Sequence, residues 1–419
     1  MSLPHDPSAS RGRPSAAFGV LVAIVALDAA AMSIVLPLVP FLALHMGASP
    51  LMVTLVIGTY AAALFVGAPL MGTLSDRFGR RAVLLAAVCG MAVANVVLAL
   101  ADTLWLLFAG RALAGLMAGN MTVAEALAAN NSSEADRPKA MAAVGIAMAG
   151  GLVLGPLLST GVLLMVPGPE GLQATFAGAA GVCALAAIAL VAQWRRLDER
   201  IAPARARDAP LRLVARAFLS DAALLRLALC GAVAELAAMT SMALNALWLA
   251  DRLDAGPELV GLHLSAIAAG MIAGQVLLLR DVGRGLGPVR MLSLALGLVG
   301  LGYFGLTFAP AIWATLPLFF MAYVGIAIVT ALSLAGISSR VVPEHQGAAL
   351  GLANGVRGVI QLVTPASVGL IFSAGLTDLP FRLVALAAAV MAAALWILRR
   401  SSDPAASAAR AGAASGSSP

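Results

Sequence analysis

Long apolar runs, recurring along the whole chain, constrain this sequence most. Windows of roughly 20 apolar residues, each long enough to cross a bilayer, fall near 17–43, 50–71, 81–101, 103–128, 140–166, 172–194, 222–249, 258–279, 288–308, 311–335, 346–374 and 379–398. In hydrocarbon every backbone polar group must be satisfied internally, and continuous apolar runs of this length do so as helices. Composition agrees: 61% of the 419 residues are hydrophobic and 11% charged, a balance foreign to soluble globular domains. The expected fold class is an all-α polytopic membrane protein with twelve transmembrane helices.

Charge sets the expected topology. Of the 26 Lys and Arg residues, all but Arg111, Arg252, Arg357 and Arg382 fall in segments on the side of both chain ends. An arginine-rich side is the cytoplasmic one, so both termini are expected there, in a plasma membrane of the bacterial inner-membrane kind. The same asymmetry accounts for the net charge of +6 without a nucleic-acid partner. The one long polar connection, Arg195–Asp221, divides the chain. Expected units are a tail over 1–15, a six-helix bundle over 16–194, the central loop 195–221, a second bundle over 222–399 and a disordered tail over 400–419. Cys89, Cys183 and Cys230 all lie in apolar runs, so neither a disulfide framework nor a metal site is expected. The first apolar run is too long for a cleavable signal.

Between the second and third runs lies a charged knot, Gly72-Thr-Leu-Ser-Asp76-Arg77-Phe-Gly79-Arg80-Arg81. Its arginines cannot sit in hydrocarbon, and Gly72 and Gly79 suit a sharp reversal. This spacing resembles the major facilitator superfamily, whose loop after the second helix reads Gly-x-Leu-x-Asp-Arg-x-Gly-Arg-Arg. The resemblance implies two six-helix bundles related by a pseudo-two-fold axis. It also implies a gate in which Asp76 meets the start of span eleven while Arg77, Arg80 or Arg81 completes a charge network. A weak echo in the second half, Arg280-Asp281-Val-Gly283-Arg284, and the matched prolines Pro156 and Pro365 are what parallel repeats leave behind.

Charges inside spans are costly and mark function. Asp28 precedes Pro37 and Pro40 in span one, Arg111 opens an Arg-x-x-x-Gly motif with Gly115 in span four, and Glu125 lies further along that run. Burial raises a carboxyl pKa toward a range where it can load and release protons, so Asp28, Arg111, Glu125 and Glu235 are the proton-coupling candidates. Counting about 1.5 Å per residue from opposite faces brings Asp28 and Arg111 to similar depths, which predicts a coupling pair. Glu235 in span seven, Asn245, Arg357 in span eleven and Asn354 are candidates for the cargo cavity, with Gln275 and Gln361 as further hydrogen-bonding groups. The span-one and span-four patterns resemble drug/proton antiporters of the tetracycline-pump type, with departures at Glu125 and Asn130. Gly150-Gly151-Leu-Val-Leu-Gly155-Pro156 resembles the antiporter motif of exporter branches, Gly151, Gly155 and Pro156 being its core.

The resemblance implies a secondary active transporter, proton-driven and cofactor-free, exporting a small molecule such as a drug or endogenous metabolite, and monomeric. Uptake of a small polar or anionic metabolite is the alternative, and export of a siderophore or other secondary metabolite a third. An enzyme is not expected, since no zinc-ligand spacing such as His-Glu-x-x-His occurs. A non-transporting receptor would have no use for intramembrane acids in a repeated bundle.

Overall fold

The computed structural model describes residues 16–118, 123, 127, 137–194, 216, 218–279, 286–342 and 345–401. Among them, eleven helices are long and apolar enough to cross a membrane, and Leu104–Met117 is a shorter apolar helix. In chain order, span one is Ala16–Val35 continued by Leu38–His45, span two Pro50–Phe78, span three Arg80–Ala99 and span four Leu104–Met117. Span five is Arg137–Met165, span six Pro169–Ala192, span seven Ala222–Leu253 and span eight Pro257–Leu279. Span nine is Pro288–Leu306, span ten Ile312–Arg340, span eleven Gln346–Ser373 and span twelve Leu379–Ser401. Most of run 103–128 beyond residue 118, the central loop up to residue 215, the echo Arg280–Arg284, residues 1–15 and residues 402–419 lie outside the described residues, as does Glu125, while Arg400 and Ser401, expected in the tail, continue span twelve.

Local chemistry sets the helix ends. Ser49 accepts a hydrogen bond from the Met52 amide with Pro50 in the first turn, and Thr103 accepts from Leu106. Asp221 accepts from the amides of Ala223 at 2.7 Å and Leu224 at 3.3 Å. Each side chain satisfies N–H groups that no helical carbonyl can reach. Span one breaks after Val35, at the Pro37 that the sequence places there, because proline lacks the amide that would continue the ladder.

The charged knot differs from its expected form. Span two stays helical through Phe78, so Gly72 to Phe78 is helix rather than loop, and Gly79 alone makes the reversal at φ +91°. That backbone conformation is open to glycine and strained for residues with a Cβ. Nothing between Gly72 and Phe78 breaks a helix, and Ser75 bonds back to the Gly72 carbonyl at 2.8 Å. The helix therefore continues past the apolar run and carries its charges out of the membrane.

The same packing pattern occurs twice. Span one packs on five and six, three on four and six, and two on four. In the second half, seven packs on eleven and twelve, nine on ten and twelve, and eight on ten. The two most extensive contacts between the halves are span two against eleven and span five against eight, and a two-fold exchange of the halves converts one into the other. The prolines occupy equivalent places. A Cβ on Gly58 of span two would stand 3.1 Å from Pro365, and one on Gly261 of span eight 3.0 Å from the Pro156 carbonyl. The fold is thus two six-helix bundles in pseudo-two-fold relation.

The contacts between halves run from the face opposite the chain termini, here the far face, to the midplane. Thr160 donates to the Glu258 carbonyl at 3.1 Å and Ser265 to that of Val153 at 3.3 Å. On the other seam Gly369 lies against Thr54 and Gly358 against the Phe65 ring. A methyl group at Gly369 would meet Thr54 Oγ1 and approach Thr54 Cβ to 3.0 Å. Overpacking costs about 1–3 kcal/mol, and each 1.4 kcal/mol is about tenfold in an equilibrium. On the transport function that the resemblance implies, Gly369→Ala is expected to hold the far face ajar and lower transport per inserted molecule about tenfold, with little loss of membrane insertion. Unchanged turnover would mean that this seam does not close during transport.

Candidate functional site

A cavity lies where the halves meet, in two adjoining lobes. The larger, about 440 Å³, is walled by spans one, five, seven, eight, ten and eleven, with Glu235, Asn245, Gln275, Tyr323 and Arg357 as its polar groups of interest. The smaller, about 270 Å³, holds Asp28, Tyr60 and Gln361. Met32, Leu152, Met239 and Met242 line both, so the lobes adjoin. Met91, Met148 and Met271 add to walls that are otherwise apolar. An apolar cavity with few convergent polar groups suits an organic ligand, and unbranched methionines adapt to ligands of different shape.

Span seven contributes Glu235, buried at 5% exposure, and span eleven contributes its partners. Arg357 reaches Glu235 Oε2 through Nη2 at 2.6 Å and Nε at 2.8 Å, and Gln361 Nε2 donates to Oε1 at 2.7 Å. Arg357 and Gln361 stand four residues apart, on one face of the helix, so both carboxylate oxygens are held by a single neighbour. Gln361 also borders the lobe containing Asp28. Its amide thus lies between Glu235 and the lobe that holds Asp28. Asn245, two to three turns along span seven, is buried, and neither its Oδ1 nor its Nδ2 finds a hydrogen-bond partner among the described residues. A buried amide left unsatisfied costs about 1–3 kcal/mol, which a ligand in the cavity would recover.

Arg111, 3% exposed, takes a different partner from the expected one. Its guanidinium carbon lies 4.4 Å from the Tyr60 ring centroid, and no ion pair joins it to Asp28 among the described residues. The cause is the seam between spans two and four. Gly115, one turn beyond Arg111, lies so close to span two that a Cβ would come within 2.7 Å of Ala63. This fixes Arg111 against the face of Tyr60, where a cation is attracted by the ring. The Tyr60 hydroxyl contacts Met32 Sδ at 3.2 Å, one turn from Asp28, and Tyr60 shares the smaller lobe with it. In this arrangement Tyr60 mediates between the two expected partners.

The other predicted residues fall as follows. Gly151 and Gly155 form the seam of span five on span one. A Cβ on Gly151 would stand 2.7 Å from Ala29, one on Gly155 2.6 Å from the Ala30 carbonyl, and Ser33 donates to the Gly151 carbonyl at 3.0 Å. Asn354 is exposed, nearer the terminal face than Arg357, and is not part of the cavity walls. Arg81 reaches the Trp194 carbonyl at 2.5 Å and lies over its ring, tying span three to the end of span six. Arg77 stacks on Phe78 at 5.3 Å. Of Asp76 only the backbone is described, so its expected place at span eleven lies outside what the structure describes. Outside the set singled out from the sequence, His263 bonds the Leu259 carbonyl and Thr315, a structural role between spans eight and ten.

Tyr60 and the methionine lining are the site features that the sequence reading missed. A signal existed: the chain has three tyrosines, and Tyr60, Tyr303 and Tyr323 are all within spans and all buried.

A model of the Major Facilitator Superfamily matches residues 21–242 and 227–419. The chain is 28% identical over 363 residues to the class C tetracycline resistance protein of Escherichia coli, covering 85% of this chain and 89% of that one. It is 29% identical over 376 residues to the class G protein of Vibrio anguillarum, covering 86% and 91%. Among solved structures, a bacterial homologue of the human lysosomal transporter Spinster, in an inward-facing and occupied conformation, superposes with a TM-score of 0.71 at 15% identity, covering 92% of this chain and 97% of that one.

Proposed function

The chain belongs to the Major Facilitator Superfamily, and from that premise we propose a proton-coupled exporter of small organic molecules. It is a multi-pass membrane transporter. The finer reading, efflux in exchange for protons, rests on the two adjoining lobes, each of which holds a buried carboxylate, Asp28 of the first half and Glu235 of the second. The tetracycline resistance proteins that share most of its length support a drug as cargo. Methionine-lined walls favour several cargoes over one.

The face carrying the chain termini is cytoplasmic in this reading, so the structure, joined along its far-face seams, is inward-facing. The two bundles rock about the cavity and expose it alternately. A membrane potential supplies about 2.3 kcal/mol per charge for each 100 mV. Asp28 gives up its proton toward the cytoplasm, accepts another from outside and so resets the cavity. Asp76 and the neighbouring arginines gate the cytoplasmic side, a monomer suffices, and the host membrane is the plasma membrane.

In a pump-deficient bacterial host, expression is expected to lower steady-state accumulation of at least one lipophilic drug severalfold. Collapsing the proton gradient should restore accumulation. Raised accumulation in energised cells would mean uptake instead.

A further inference from the structure

A second pocket, of about 540 Å³, opens at the terminal end of the second bundle between spans seven, nine, ten and twelve. Its inner wall is apolar, with Leu292, Leu332 and Leu395 around Cys230, and it is separate from the cavity described above. Arg226, in the second turn of span seven, and Arg340, the last residue of span ten, both line it with Ser339 beside them. Arg226 Nε donates to the Ala222 carbonyl at 2.8 Å, which leaves its two terminal nitrogens for another acceptor. Among the described residues neither arginine forms an ion pair and no carboxylate lines the pocket. Two guanidinium groups from different helices therefore share one hollow, with no counter-charge among the described residues.

We infer that this pocket holds the phosphate head group of an anionic phospholipid. Guanidinium groups bind phosphate through charge-assisted, bidentate hydrogen bonds. Basic pockets between transmembrane helices at the membrane face recruit acidic lipid head groups. The apolar inner wall accommodates the glyceride end of an acyl chain, which free phosphate would leave empty. Occupancy links span seven, which carries Glu235, to span ten, which carries Tyr323. A bound lipid thereby stiffens the bundle that bears the ion pair.

The test is thermal unfolding of the full-length protein in detergent, titrated with phosphatidylglycerol, phosphatidylcholine or inorganic phosphate. Phosphatidylglycerol is expected to raise the midpoint by several degrees, and the other two to leave it unchanged. The gain should vanish in the double variant Arg226→Gln/Arg340→Gln. It should also vanish in Ala335→Phe, which fills the pocket and keeps both charges. Equal stabilisation by phosphatidylcholine, or a gain retained in both variants, would overturn the inference. Stabilisation by inorganic phosphate alone would also overturn it, by making the site one for a free anion. Should a variant fail to fold, native mass spectrometry of the wild-type protein decides. Retained phosphatidylglycerol adducts that outnumber phosphatidylcholine adducts support the site, and equal retention contradicts it.

Discussion

Asp28→Asn is expected to abolish accumulation of cargo against a gradient while leaving cargo binding intact and indifferent to pH. Asparagine keeps the shape of the side chain and much of its hydrogen bonding but cannot ionise. The bland alternative is an acid retained for helix packing, and that role would survive the substitution with transport largely unchanged. Binding measured by tryptophan fluorescence at two pH values, beside uptake into everted vesicles, separates the two. A companion variant, Tyr60→Phe, keeps the ring that faces Arg111 and removes the hydroxyl near Met32. A much smaller effect there would place the coupling on the carboxyl group rather than on the stacked arginine.

The second large effect concerns Glu235 and Arg357. The Glu235 side chain is 6% exposed and that of Arg357 25%; removing one partner of a fully buried pair strands the other charge and costs about 3–5 kcal/mol, an upper bound here, whereas replacing both with apolar groups is often neutral. Arg357→Ala is therefore expected to lower the unfolding midpoint sharply. Glu235→Leu/Arg357→Leu is expected to recover most of that loss and still fail to transport. Arg357→Lys keeps the charge and loses the planar fork that bonds Oε2 through two nitrogens, so an intermediate effect follows. If Arg357→Ala is as stable as the parent and moves every cargo normally, the pair is neither a structural lock nor a cargo site. The physical argument bears on cargo as well. A ligand carrying a single charge that breaks the pair leaves one buried charge unmatched, whereas a zwitterion can satisfy both groups.

Much of this was legible in the sequence because the bilayer restricts what a chain can do. Twelve apolar runs, one long polar connection and Pro156 matched with Pro365 led to the two bundles. Asp28 and Glu235 stood out because an ionised group in a span is expensive. Register between helices was less accessible. Depth alone brought Asp28 and Arg111 together, yet lateral placement depends on which faces touch, and Gly115 against Ala63 turns Arg111 onto Tyr60. The Glu235–Arg357–Gln361 cluster joins residues more than a hundred positions apart, a separation that no local pattern encodes. Charge and glycine at Gly72–Arg81 suggest a loop, whereas the chain is helical through Phe78. A helix that outlasts its apolar run carries charge equally well.

The exchange of cargo for protons is tested most directly by reconstituting the purified protein in liposomes with a pH-sensitive dye inside. With a panel of tetracyclines and unrelated lipophilic drugs on one side and no imposed pH difference, at least one drug is expected to move down its gradient. Protons should move in the opposite direction, and Asp28→Asn should eliminate that proton movement. Protons travelling with the drug, or drug flux without any proton flux in the wild-type protein, would contradict the account.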